Sequence, residues 1–458
     1  MSHNSRAKIA QHIGKGKKMR SRFRELQQLR PNVLSPYIVL AILAFAVALP
    51  PATATDNKAP KEWIATWMTA NLDLSNQEMA VVSSTSHDLT EFNNQTIRGI
   101  IHTAIAGRAI RVRLDNTFGT RPITFDAVFV GKQKQGASLL AGSNHAVTFG
   151  GAKAVTIPEG SEALSDELPM AVDAQQNLAI SVYTAKPTGP ATVHRSAFQT
   201  NYVSDAGNFA AQENAQPFSK TTASWFFLKE VDVLAAKEAT GAIVALGDSI
   251  TDGASSRTDA YDRWTDVLAR RLNANSPHQA FSVLNAGIGG NRVLSSSPCF
   301  GENALARLNR DVFAQAGVRA VILFEGTNDI GQPDTPVDAK FAACLARARI
   351  SADDLIAGYK QIITQVHARH LKIFGATILP FQGFKGWTEK GEAVRKATNQ
   401  WIMESHAFDG VIDFASALAD PANAARLATQ YDSGDHLHPS SAGHEAMARA
   451  IDPKLFSK

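Results

Sequence analysis

The chain has 458 residues, 44% of them hydrophobic and 19% charged, which excludes a disordered protein and exceeds what one ordinary domain needs. Its formal charge of +4 comes from one end: the first 54 residues carry Arg6, Lys8, Lys15, Lys17, Lys18, Arg20, Arg22, Arg24 and Arg30 against Glu25 alone. Setting that local +8 aside leaves the remainder near −4, so the body of the protein has no basic footprint for nucleic acid.

Behind the basic stretch, an apolar run from Tyr37 to Leu49 leads to Pro50, Pro51 and the small-x-small triplet Ala52-Thr53-Ala54. Residues 1–54 therefore read as a secretory signal peptide with a long basic n-region, with Met19 as a second possible start. An uncleaved anchor is the other reading, but the run is short of the roughly 20 residues a spanning helix needs. The expectation is a secreted or periplasmic protein with no stable membrane anchor after cleavage. No Arg-Arg pair stands in the leader, which favours the general secretory route. Export makes Cys299 and Cys344, the two cysteines of the chain, a candidate disulfide enclosing a segment that includes Asn328. Two separate buried thiols remain the alternative, and neither cysteine has a second Cys or His at metal-ligand spacing.

From residue 60 to residue 233 short apolar runs are broken by Gly, Pro and Asn. In Ile110-Arg-Val-Arg-Leu114 and Leu178-Ala-Ile-Ser-Val182 the large apolar residues fall at every second position. Period two places one face on a core and the other in water, so this segment is expected to be an all-β sandwich or jelly-roll domain.

After Gly241 the pattern changes. Wholly apolar runs at 242–246, 281–284, 320–324, 373–377 and 411–413 alternate with helical periodicities. Examples are Arg263 to Leu272 and the one-sided set Leu355, Ile356, Tyr359, Ile362, Ile363 and Val366. Strands buried on both faces and followed by helices imply a parallel sheet in a three-layer α/β/α domain over 241–458. Ligands of such sheets bind beyond the carboxyl ends of the strands.

Candidate chemistry gathers at those ends. Ser249 follows the first strand in Leu246-Gly-Asp-Ser-Ile-Thr-Asp-Gly253, Gly290 follows the second, and Asn328 follows the third in Gly326-Thr-Asn-Asp329. Asp435 and His438 precede the last helix. Singly, each has a plain structural reading as an N-cap, a turn residue or a surface histidine. As a set, a serine needs a base, the base needs a carboxylate that fixes its tautomer, and the developing oxyanion needs donors.

These blocks, in this order and over about Ile243 to Ile451, resemble the SGNH hydrolases, or GDSL-like lipases and esterases, with Ile250 where the eponymous motif has Leu. The resemblance implies a flavodoxin-like fold and Ser249 as nucleophile, with His438 and Asp435 completing the triad. It implies an oxyanion hole from the Ser249 and Gly290 amides and the Asn328 side chain, and requires no cofactor or metal. Gly289 is adjacent and either glycine amide fits. A metal site among Asp432, Asp435, His436, His438 and His444 would leave Ser249 and Asn328 unexplained. An α/β-hydrolase elbow needs glycine where Thr251 stands.

The layout, including Asn94-Gln-Thr-Ile-Arg98 and Asn116 to Pro122, is similar to exported acylhydrolases and arylesterases that carry an N-terminal β domain. It implies a carboxylic ester hydrolase acting on small esters or on acyl or acetyl groups of plant polysaccharide. A lipase or lysophospholipase, or a catalytically silent glycan-binding protein, are the alternatives. Tyr261, Trp264, Phe381 and Trp387 are candidate rim aromatics for a sugar platform or an acyl pocket, each with a structural reading beside it.

Overall fold

The computed structural model describes residues 62–73, 90–235, 239–274 and 280–456, so the signal-peptide reading of 1–54 lies outside the described residues. In the antiparallel half, strands Trp63–Met68, Leu228–Ala235, Gly107–Asn116 and Ser161–Leu164 form one sheet in that spatial order. A larger sheet runs Lys220–Thr222, Asn201–Ala206, Gln95–His102, Asn177–Thr184, Ala127–Gln135 and Ser138–Leu139, with His145–Ala146 also paired to Ala127–Gln135. Ile110, Val112 and Leu114 of one sheet and Val128, Val130, Leu178, Ile180 and Val182 of the other are buried in the same core. This is the two-sheet packing that period-two alternation produces.

Strand Asn177–Thr184 departs from the expected in-and-out pattern. Ala179 and Ser181, assigned by periodicity to the solvent face, are both buried. The guanidinium of Arg98 from the neighbouring strand donates to Ser181 Oγ at 2.8 Å and to the carbonyls of Ala137 and Gln212, with the Phe218 ring 4.0 Å from it. A loop thus roofs the second face, and the buried cation is tolerated because its donors find acceptors.

In the other half, five parallel strands Ala239–Gly247, Ala280–Gly287, Val318–Phe324, Lys372–Ala376 and Gly410–Ile412 stand in spatial order 2-1-3-4-5 when counted along the chain. Both faces are covered, as the unbroken apolar runs require. Ile243 and Ala245 pack with Trp264, Leu268 and Met447, whereas Val244 and Leu246 pack with Leu355, Tyr359 and Ile362. The sequence-assigned helices are present at Trp264–Ala274 and Ala352–His367, the second opened by a reciprocal cap between Ser351 and Asp354.

The two halves pack into one compact unit. Lys229, Glu230 and Asp232 of strand Leu228–Ala235 are all buried. Lys229 Nζ donates to Asp311 Oδ1 at 2.6 Å, Glu230 Oε1 accepts from the Ala316 amide at 3.0 Å, and the Ala65 amide donates to the Ala316 carbonyl at 3.0 Å. Lys229 and Glu230 are thus satisfied by the neighbouring half, whereas Asp232 pairs with Arg111 of its own sheet at 2.7 Å.

Candidate active site

Asp248 is extended and caps a single turn, Ser249–Asp252, by accepting from the Ile250 amide at 3.0 Å. Ser249 therefore stands at the first position of the turn, just beyond the carboxyl end of strand Ala239–Gly247. Gly247 makes the tight exit possible, since a Cβ there would lie 2.2 Å from Thr251 Oγ1 and 2.5 Å from the Phe324 carbonyl oxygen. Arg307, fully buried, ties this exit to its neighbour by donating to the carbonyls of Gly247 at 2.9 Å and Ala286 at 2.7 Å.

The loop before helix Ser441–Ala450 brings His438 to Ser249, with Oγ and Nε2 2.9 Å apart. His438 Nδ1 lies 2.6 Å from Asp435 Oδ2. A carboxylate only accepts, so Nδ1 carries the hydrogen and Nε2 offers its lone pair to the Ser249 hydroxyl. Asp435 Oδ1 accepts from the amides of Leu437 at 2.9 Å and His438 at 2.8 Å. Partial burial works against its charge, but His438 and these amides hold the Asp435 carboxyl well below the usual carboxylate range.

Asn328 lies in the short helix Thr327–Gly331 beyond the third strand, its Nδ2 3.4 Å from Asp248 Oδ2. Of the two adjacent glycines, Gly289 has its amide engaged, donating to Asp252 Oδ2 at 3.1 Å, while Gly290 lines the cavity beside Ser249. Gly290 has φ +75°, and a Cβ on it would lie 2.5 Å from the Phe300 ring, so both conformation and space demand glycine.

Beneath this surface lies a band of buried acids. Burial raises Asp248 to about 6 and Asp329 to about 6, and it lifts Glu325 well above the usual carboxylate range. Asp329 is fixed by accepting from the amides of Val293 at 2.9 Å and Leu294 at 3.0 Å, which pins the chain leaving the Gly289–Gly290 turn. Gln332, which the sequence did not single out, donates to the Gly290 carbonyl at 2.9 Å and accepts from Arg292 at 2.7 Å and the Ala346 amide at 3.2 Å. A lone glutamine carries no sequence signal for such a bridge.

The cavity has a volume of about 230 Å³ and apolar walls supplied by Phe300, Leu345, Phe381, Phe384 and Leu437. Cys299 and Cys344 are joined in a disulfide beside it, with Cα atoms 5.2 Å apart. Of the four candidate rim aromatics, Phe381 lines the cavity, whereas Trp264 is fully buried against Phe414 and Tyr261 stacks on His102 with centroids 3.9 Å apart. Trp387 packs on the core. Trp264 is in the core because it opens a helix whose apolar stripe faces the sheet, which overrides any rim role.

The acidic and histidine cluster of 432–444 divides into separate pairs. His436 Nδ1 is 2.6 Å from Asp432, and His444 is buried with Nε2 at the Ala254 carbonyl. Among the described residues no group of three or more His, Cys, Asp or Glu is placed to hold a metal ion, and no helix is long and apolar enough to cross a membrane.

Among solved structures, the chain is similar to an acetylxylan esterase from Geobacillus stearothermophilus. They share 22% identity over 49% of this chain and 98% of that one, with a TM-score of 0.35. A GDSL-like lipase from Bacteroides thetaiotaomicron is 16% identical over 47% of this chain and 87% of that one, with a TM-score of 0.33. No curated protein matches the chain. Residues 245–446 match the GDSL-like Lipase/Acylhydrolase family, so the chain carries a domain of that family of carboxylic ester hydrolases.

Proposed function

We propose that the protein is an exported serine esterase that cleaves carboxylic esters through an acyl-enzyme, with Ser249 as nucleophile, His438 as base and Asp435 as its orienting carboxylate. The observation that carries this reading is the unbroken path from Ser249 Oγ through His438 to Asp435, with steps of 2.9 Å and 2.6 Å. As Ser249 Oγ attacks the ester carbonyl, His438 Nε2 takes its proton, and the positive charge that forms is stabilised by Asp435. The oxyanion is held by the Ser249 and Gly290 amides and by Asn328 Nδ2. Collapse breaks the ester C–O bond, and His438 returns the proton to the departing alkoxide. Water then attacks the acyl-enzyme with His438 again as base, releasing the acid and free Ser249.

The size and walls of the cavity support a substrate with a short acyl group. At about 230 Å³ it is smaller than the roughly 300–1,000 Å³ of sites that enclose a whole drug-sized ligand. Its apolar walls suit the acyl group of an ester, with the alcohol outside. The alcohol is a small molecule or a polysaccharide decorated with short acyl groups. Removal of residues 1–54 on export and a division into an antiparallel domain at 60–233 and a hydrolase domain at 241–458 belong to the same reading.

The test is a p-nitrophenyl ester series from acetate to palmitate on the protein beginning at Thr55, with Ser249→Ala beside it and acetate release from acetylated xylan in parallel. Ser249-dependent cleavage that peaks at short acyl chains is expected. A peak at long chains would make the protein a lipase, and ester turnover unchanged in Ser249→Ala would refute the mechanism.

A further inference from the structure

Asp252 closes the turn that Ser249 begins, and the triad chemistry has no use for it. It is buried, and both of its carboxylate oxygens are engaged. Oδ2 accepts from the Gly289 amide at 3.1 Å, and Oδ1 faces His194 Nε2 at 2.9 Å. The strand end is fitted against it so closely that a Cβ on Gly287 would lie 2.2 Å from the Asp252 backbone nitrogen. The Asp252 carboxylate is therefore a strut beneath the turn that carries Gly289 and Gly290.

His194 comes from the antiparallel half, at the end of the short strand Thr192–His194. Its Nδ1 is 2.7 Å from the Ala70 carbonyl oxygen, which only accepts, so Nδ1 bears a hydrogen. Nε2 and Asp252 then share the remaining proton in a buried pair. The Trp225 ring flanks the imidazole at 5.6 Å, and Arg263 crosses the same junction to donate to the Ala197 carbonyl. A histidine buried to this degree needs both nitrogens satisfied. Here one acceptor belongs to each half of the molecule.

We propose that His194 is a positioning residue for ester hydrolysis: anchored in the antiparallel domain, it orients Asp252, which fixes the Gly289–Gly290 turn so that the Gly290 amide is aimed at the developing oxyanion. This rests on the reading of Ser249 as the nucleophile. The antiparallel domain is then part of the catalytic apparatus, since the hydrolase domain alone holds one end of the strut but not the other. Loss of a whole oxyanion donor costs about 10²- to 10³-fold in rate. A donor left in place but poorly aimed forfeits part of that, so the expected loss is about 10- to 100-fold in kcat with KM little changed.

The experiment uses the protein beginning at Thr55 and p-nitrophenyl butyrate, comparing wild type, Ser249→Ala, His194→Gln and His194→Asn. A glutamine amide sits where Nε2 does and still donates to Asp252, whereas an asparagine amide sits where Nδ1 does, keeps Ala70 and falls short of Asp252. The Gln variant is expected within about threefold of wild-type kcat and the Asn variant about 10- to 100-fold lower, both with native circular dichroism and KM within about twofold. Equal kcat in the two variants, or a loss confined to KM, overturns the proposal. So does an unfolded Asn variant beside a native Gln variant, because the contact is then structural. Turnover that survives in Ser249→Ala would instead sink the nucleophile reading.

Discussion

Phe300 and Leu345 each directly follow one half of the Cys299–Cys344 disulfide, and both line the cavity beside Ser249. Phe300 also backs Gly290, whose missing Cβ makes room for its ring. The cross-link thus holds two walls of the cavity beside Ser249 in register. It closes a loop with a sequence separation of 45, for which chain entropy alone gives about 4 kcal/mol. The double variant Cys299→Ala/Cys344→Ala should lower the urea midpoint accordingly and flatten the acyl-chain preference. A chain-length profile identical to wild type would show that the walls do not depend on the cross-link.

Asn328→Ala removes the side-chain donor assigned to the oxyanion while leaving the Ser249–His438 contact untouched. A fall in kcat of about 10²- to 10³-fold is expected, with KM near wild type and unchanged thermal stability. If the loss appears in KM alone, Asn328 binds the ground state and the oxyanion assignment fails.

His194 links activity to pH through stability. Burial alone would lower its pKa, but the charge and hydrogen bond of Asp252 and the Ala70 carbonyl outweigh burial and the opposing Arg263 charge, leaving it above the ordinary histidine value. A group raised in the folded state contributes stability that is fully present below its unfolded value of about 6.5 and is lost as pH rises through the folded one. The melting temperature of the wild type should therefore fall on the alkaline side by more than that of His194→Asn. Parallel curves would exclude His194 as the source.

Asp311 behaves in the opposite sense. It is buried, and Arg310, Lys229 and Arg307 overcome the cost of burial and hold its carboxyl far below the usual range. That stability is present above about pH 3.9 and is lost as pH falls towards the folded value. Asp311→Asn should destabilise the protein by roughly 3–5 kcal/mol in urea, because the buried Lys229 ammonium loses its counter-charge. Lys229→Met should cost less, since Asp311 keeps two arginines.

The five buried strands of the parallel sheet were legible in the sequence because burial on both faces leaves an unbroken apolar run, which needs no knowledge of the partner. Ser249, Asn328, Asp435 and His438 were legible as candidates because strand ends and short motifs are local features. Their gathering at the carboxyl edge of the sheet was an expectation of the sequence too, whereas Gln332, Asp252 and His194 were not legible, because their roles exist only through residues far away in the chain. Strand Leu178–Val182 carries the same lesson: its alternation sets which residues share a face, but a loop bearing Gln212 and Phe218 decided that the second face would be dry. Periodicity and propensity act over a few residues and fix the elements. Which buried polar group meets which acceptor is settled only when the two halves close on each other and every charge removed from water must find a partner.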